Sequence, residues 1–332
     1  MRHVYLVRHA MPDIPLGERW CVGRTDLPLG IVGKLQAALL AFVPELQNRP
    51  VYCSHLTRAK ETARPIDPDP IVREGLEEQD MGEWDGLSFT QIRTQYPELY
   101  EAREGNAGLM PPGSEPIESV RSRMRKAVLS ILDNCDRDPV IVSHKSAIAS
   151  LTGRREELLY TSISILNEKL QPVEVGRVDH PVLTEKVCLA LLKAAETPIP
   201  VIEHSLAVAQ EALRLAEELP VDQKRLVSAA LLHDIARTQP SHAETGASWI
   251  RALGYPEVAE IISQHHDLEA PVLNEAGILY LADKYWQGDR KVTLAERFAQ
   301  SGEKCQTAEA RAAHERRFAL ARQLEEKLAG GE

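Results

Sequence analysis

Arg8-His9 closes one apolar run of the chain, Arg58 follows a second, and His144 closes a third. These residue types can move a phosphoryl group. A neutral imidazole can attack phosphorus and carry the phosphoryl group covalently. The transition state spreads charge over three equatorial oxygens, so the chemistry needs fixed cationic donors. Arginine suits that task because its planar fork stays charged and grips phosphate with two bonds. A carboxylic acid must then protonate the leaving alkoxide and later activate water. Acidic candidates cluster in EGLEEQDMGEWDG, residues 74–86.

A second constellation lies later in the chain: His204, His233-Asp234, His242, His265-His266 and Asp283. Neutral imidazoles with a carboxylate able to bridge two ions are metal ligands. Two metals so held would activate a water for attack on a phosphate ester. Lys284, beside Asp283, either steadies a phosphate or is solvated. His3 and His55 carry no chemical expectation, and His314 is expected at the surface of a charged terminal helix.

The elements that must position these residues differ between the two groups. Residues 3–7 (HVYLV), 50–54 and 138–144 (DPVIVSH) read as short apolar strands, with amphipathic helices over 30–47, LTRAKETA and 119–135. Strands alternating with helices imply an α/β layer fold with a mostly parallel sheet. Ligands bind such sheets beyond the carboxyl ends of the strands, where His9 and His144 both fall. Residues 96–118 read as a long insertion or lid, and 162–178 as a closing strand pair. Beyond about Asp179 the strand signals stop. From Pro181 onward apolar residues recur at three- and four-residue spacing, punctuated by Pro198, Pro200, Pro220, Pro240, Pro256 and Pro271. The last stretch, 291–328, reads as a packed helix pair or an interaction element.

Five ordered motifs, LVRHA (6–10), GRTDLPL (23–29), SHLTRAKETA (54–63), LEEQDMGEWDG (76–86) and VSHKSAI (142–148), resemble the histidine phosphatase, or phosphoglycerate-mutase-like, superfamily. Within it they are most similar to the small phosphatases that include α-ribazole phosphatase. The resemblance covers about residues 1–180 and implies a three-layer α/β domain that needs no metal. By position it makes His9 the phosphorylated nucleophile, Arg8 and Arg58 the phosphate clamp, His144 the second pocket histidine and Glu78 the proton donor. Arg24 falls in a loop that contacts phosphate or substrate, and Glu83 and Asp85 are left structural or substrate-facing roles. The chain departs from the family pattern at Ala10-Met11-Pro12, at Lys145 where glycine is usual, and at Gly113-Ser114-Glu115-Pro116.

The order H…HD…H…HH…D, with AALLHDIA and LADK, resembles the HD superfamily of metal-dependent phosphohydrolases over about 199–290. That resemblance implies His204, His233, Asp234 and Asp283 as the minimal metal set, with His242, His265 and His266 as extra ligands of two-metal variants. The metal would be a divalent transition ion, Fe, Mn, Ni or Co.

The 332 residues suggest two domains at about 150 residues each, here 1–180 and an all-helical 181–332. The formal charge of −10, with 5% aromatics, argues against a nucleic-acid binder. Five scattered cysteines form neither a disulfide framework nor a CxxC pair. No signal peptide and no membrane span are read, so a cytoplasmic protein is expected. The expectation is a bifunctional phosphohydrolase acting on a small phosphorylated metabolite, and on a nucleotide or dinucleotide in the second half. Alternatives are a non-catalytic nucleotide-sensing HD domain and a phosphoglycerate-type mutase. A homo-oligomer is possible on these grounds.

Overall fold

The computed structural model describes residues 2–15, 17–105 and 109–330, and the chain divides into two compact units, Met1–Asp179 and His180–Glu332. The first is built on strands β1 (His3–Arg8), β2 (Val51–Cys53), β3 (Ile71–Val72), β4 (Val140–Ser143), β5 (Ile163–Asn167) and β6 (Pro172–Arg177). Their order in the sheet is β3-β2-β4-β1-β5-β6. The first four of that order run parallel, while β5 and β6 complete the sheet antiparallel.

Side chains alternate across a strand, and both faces of β1 are covered. Val4 and Leu6 pack under Val120, Met124 and Val128, which belong to helix α5 (Ile117–Asp133), and under Ile148 of α6 (Lys145–Thr152). Tyr5 and Val7 face the other way, toward Leu40 of α1 (Ile31–Leu40) and Ala59 and Ala63 of α2 (Thr57–Ala63). A strand buried on both faces reads as an unbroken apolar run, which is why HVYLV is so legible.

Two features differ from the sequence expectation. Strand β3 was not foreseen, because two exposed residues carry no alternation. The 96–118 segment is not all loop: α3 (Phe89–Gln95) is followed by α4 (Pro97–Gly105). Pro97 at the first helical position, with Glu98 behind it, favours that start. Residues 106–108 of the expected lid lie outside the described residues.

The second unit contains α7 (Glu185–Ala194), α8 (Ile199–Leu215), α9 (Gln223–Leu232), α10 (His242–Ala252), α11 (Pro256–Ser263), α12 (Glu275–Lys284), α13 (Leu294–Gly302) and α14 (Ala308–Gly330). Pro198 precedes α8 and Pro256 opens α11, as a residue without an N–H should. One hairpin, Trp286–Gln287 with Arg290–Lys291, interrupts the expected all-helical order. Gly288, at φ +62°, with Asp289 supplies the two-residue turn that allows it. Helices α13 and α14 pack through Phe298 and Phe318, whose rings lie 4.8 Å apart. His314 corrects the surface expectation: it is half-buried against Phe298, and its Nε2 lies 2.8 Å from Ser301 Oγ. Among the described residues no helix is long and apolar enough to cross a membrane.

Candidate active site and metal cluster

Strands β1 and β4 are parallel neighbours in which Arg8 pairs with Ser143. The residues that follow them, His9 and His144, are therefore brought side by side, with ring centroids 4.9 Å apart. His9 N–H donates to the Ser143 carbonyl at 2.9 Å. His9 is only 5% exposed and its Nδ1 lies 2.7 Å from the Ala10 carbonyl oxygen. A carbonyl can only accept, so Nδ1 carries the hydrogen and Nε2 keeps its lone pair. Burial, reinforced by the charges of Arg58 and Arg8, holds the His9 pKa well below the usual histidine value. The lowered pKa favours the neutral imidazole, with its Nε2 lone pair available.

His144 is fully buried and bonded through Nε2 to Ser54 Oγ at 2.7 Å. Its pKa is likewise pulled well down, first by burial and then by Arg58, His9 and Arg8. Arg58, at the start of α2, is fully buried and donates to the carbonyls of Thr25 (2.8 Å) and Gly23 (2.7 Å). Arg8 donates to the Leu158 carbonyl and lies 3.9 Å from the Tyr160 ring centre. Three buried atoms of these residues, Arg8 Nε, Arg58 Nε and His144 Nδ1, have no hydrogen-bond partner. Buried polar atoms without a partner are costly, and these three cluster around His9.

Glu78 is held where the backbone fixes its carboxylate. It accepts from Gln79 N at 2.8 Å and, at the start of α6, from Ser146 N at 3.1 Å and Ala147 N at 3.2 Å. Asp85 is structural: its carboxylate accepts from the backbone of Gly23, Arg24 and Thr25 and from Thr25 Oγ1. Gly23 has to be glycine, since a Cβ there would come within 2.6 Å of the Gln79 carbonyl oxygen. Glu83 is exposed. Thr62 stitches the loop after β1 to α2, accepting from Ala10 N at 2.9 Å and donating to the Arg58 carbonyl at 2.6 Å.

An open cleft of about 150 Å³ is lined by Arg8, His9 and Glu78 together with Trp20, Trp84, Phe89 and Tyr160. Arg103, Lys145 and Arg155 border it as well. Sequence reasoning missed Arg103, Arg155 and Tyr160, which stand in no motif; Lys145 was visible only as a departure from the family pattern. Arg24 is not among the lining side chains, and its guanidinium faces Glu77 at 3.5 Å and Glu115 at 3.6 Å.

In the second unit the seven expected residues come together from α8, the ends of α9 and α11, the start of α10, and α12. His204 Nε2 lies 3.1 Å from Asp283 Oδ1, and His242 Nε2 lies 3.1 Å from Asp234 Oδ1. His233 and His265 each bond through Nδ1 to a carbonyl of the preceding helix, Ala230 and Ile262, at 2.7 Å. Their Nε2 atoms therefore carry lone pairs, and both are buried without a partner. Burial pulls the His233 pKa down to about 4, and burial with the charge of His265 takes that of His266 down to about 3. Burial opposes the ionisation of Asp283, but Lys284, His204 and His233 outweigh it and hold its pKa well below the carboxylate range.

Three overlapping groups have ligand atoms within 4.8 Å of one another: His204-His233-Asp283, His233-Asp234-His265 and His242-His265-His266. Neutral, orphaned imidazole nitrogens beside ionised carboxylates fit a divalent metal. Both His265 and His266 belong to the cluster, His265 toward Asp234 (3.6 Å) and His266 toward His242 (2.8 Å). Lys284 differs from both sequence alternatives: it is buried and holds Asp283 Oδ2 at 2.7 Å and the His265 carbonyl at 3.2 Å.

A mixed sheet with a neutral histidine pair among arginines at its strand ends, and a helical unit with a His/Asp cluster, are the two features set against known families. Residues 4–168 match the histidine phosphatase superfamily (branch 1) and residues 201–286 the HD domain, and the chain belongs to the histidine phosphatase superfamily with an HD domain following. Glucosyl-3-phosphoglycerate phosphatase of Mycobacterium tuberculosis is 30% identical over 166 residues, covering 46% of this chain and 74% of the relative. Bifunctional protein Rv2228c of the same species is 30% identical over 148 residues, covering 43% of this chain. The chain spans only 38% of that relative's length. A solved structure of the mycobacterial glucosyl-3-phosphoglycerate phosphatase with VO3 aligns at 26% identity and a TM-score of 0.45, covering 50% of this chain and 93% of that one.

Proposed function

We propose that residues 1–180 form a phosphomonoesterase working through phospho-His9, and that residues 181–332 form a metal-dependent phosphohydrolase acting on a nucleotide. The observation that carries the first half is the neutral His9 imidazole, tethered at Nδ1, with Nε2 free among Arg8, Arg58 and His144. His9 Nε2 attacks phosphorus, and the P–O bond to the leaving group breaks. Glu78 gives its proton to the departing alkoxide. It then takes a proton from the water that displaces the phosphoryl group from His9, which returns free imidazole and inorganic phosphate. Arg8, Arg58 and His144 Nδ1–H meet the equatorial oxygens as charge spreads onto them. The test is p-nitrophenyl phosphate hydrolysis in EDTA, expected in the native chain and lost in His9→Ala. Unchanged turnover in that variant would contradict the reading.

For the second unit, His204, His233, Asp234 and Asp283 are the proposed core ligands, with His242, His265 and His266 completing a second position. The chemistry supplied there by a bound Fe, Mn, Ni or Co ion is Lewis-acid polarisation of a phosphoryl group and of water. Lys284 keeps Asp283 ionised and oriented. Arg237 and Arg297 line the same cleft and suit an anionic substrate. Elemental analysis of protein purified without chelators tests this. Bound metal that falls in Asp234→Ala is expected; a metal-free chain after reconstitution would contradict it.

A further inference from the structure

Charge in the cleft beside His9 is out of balance for a substrate carrying one phosphate. Its lining holds Arg8, Arg103, Lys145 and Arg155, with Arg58 buried close to His9, against one lining carboxylate, Glu78. A phosphate dianion is met by Arg8 and Arg58, which leaves three cations over in a chain of net charge −10.

None of these three has an ion pair with a carboxylate among the described residues. Arg155 donates from Nη1 to Ser146 Oγ at 2.8 Å, and Arg103 to the Leu109 carbonyl at 2.7 Å while lying 5.5 Å from the Trp84 ring centre. The Lys145 side chain makes neither a hydrogen bond nor an ion pair among the described residues. Its position is also electrostatically poor. It is the first residue of α6, where the helix dipole disfavours a cation. Burial and the nearby charges of Arg8 and Arg155, offset in part by Glu156, add to the cost and pull its pKa down. The end of α6 has no need of it, since Glu78 already takes the N–H groups of Ser146 and Ala147. A local rule broken without structural gain marks a functional position.

We propose that Lys145, Arg155 and Arg103 form a second anion subsite that binds a carboxylate or phosphate group carried by the leaving-group portion of the substrate. This rests on the reading of His9 as the phosphoryl acceptor, and it narrows the substrate class to phosphomonoesters bearing a further negative group. The three cations are then specificity determinants.

The test is calorimetric titration of the full chain in EDTA with three non-hydrolysable probes. Methylphosphonate carries one anionic group, phosphonoacetate adds a carboxylate, and methylenediphosphonate adds a second phosphonate. At least one two-anion probe is expected to bind about tenfold tighter than methylphosphonate, and which one does so identifies the second group. Lys145→Gln and Arg155→Gln should each erase most of that advantage, while Lys145→Arg retains it. Equal affinities for all three probes, or an advantage that survives both Gln variants, would overturn the subsite. The underlying phosphatase reading fails separately, through absent p-nitrophenyl phosphate turnover, and the affinity ratio is measurable in either case.

Discussion

At the residue scale, the proposed reactivity rests on keeping two imidazoles neutral inside a cationic nest. His9 and His144 are both buried, and the arginines beside them oppose protonation. The acid limb of the phosphatase pH profile is therefore expected below the ordinary histidine pKa of about 6.5, read from kcat/KM on p-nitrophenyl phosphate. A limb centred at or above that value would show that the nucleophile is not the buried imidazole. Thr62 has a quieter part, since its hydroxyl pairs Ala10 N and the Arg58 carbonyl at once. Thr62→Val leaves a buried N–H without a partner and should cost about 1–3 kcal/mol, measurable by urea unfolding. The proposed nucleophile, His9, and the proposed clamp, Arg8 and Arg58, are legible because each motif sits at a strand or helix end. Arg103, Arg155 and Tyr160 are not, because the fold alone brings them to the cleft.

At the element scale, β1 and β4 do the positioning, and their continuous apolar runs are what the sequence displays most plainly. Leu6 is fully buried and faces α5 and α6 in the core, and Leu6→Ala should destabilise the first unit by about 2–5 kcal/mol. A loss under 1 kcal/mol by denaturant melt would mean the layer is not packed as described. Helix α6 links structure to chemistry by holding Glu78 on its first N–H groups. Elements with short or weakly periodic signals escaped sequence reading: β3 with two exposed residues, the hairpin around Gly288, and α4, whose mostly polar residues show little apolar spacing. That hairpin matters to the metal cluster, because the Gly288 carbonyl lies 3.1 Å from His204 Nδ1 and so orients the ring.

At the scale of the whole molecule, each of the two compact units gathers its candidate site residues from distant parts of the sequence. Lowered histidine pKa values have a consequence for stability. In the unfolded chain His9 and His144 take up protons near pH 6.5, whereas in the folded chain they do so only at lower pH. The unfolded state thus binds more protons in that window, and stability falls as pH drops below about 6.5. Calorimetry should find the first unit's melting temperature decreasing from pH 7 to pH 5, and a rise over that range would contradict the burial of both rings. The second unit behaves differently, since ligand binding to the folded state adds stability. Its transition should move upward on adding Mn and stay put in Asp234→Ala. The net charge of −10 hides a strongly cationic cleft, because composition averages over what the fold concentrates.

The claim on which the rest depends is covalent capture of the phosphoryl group by His9. Rapid quench of the native chain with p-nitrophenyl phosphate, followed by peptide mass spectrometry under alkaline conditions, measures it directly. The account predicts a phosphoryl group on the peptide carrying His9, formed within the first turnover and absent from His9→Ala. Turnover without any phosphorylated His9 peptide would contradict it.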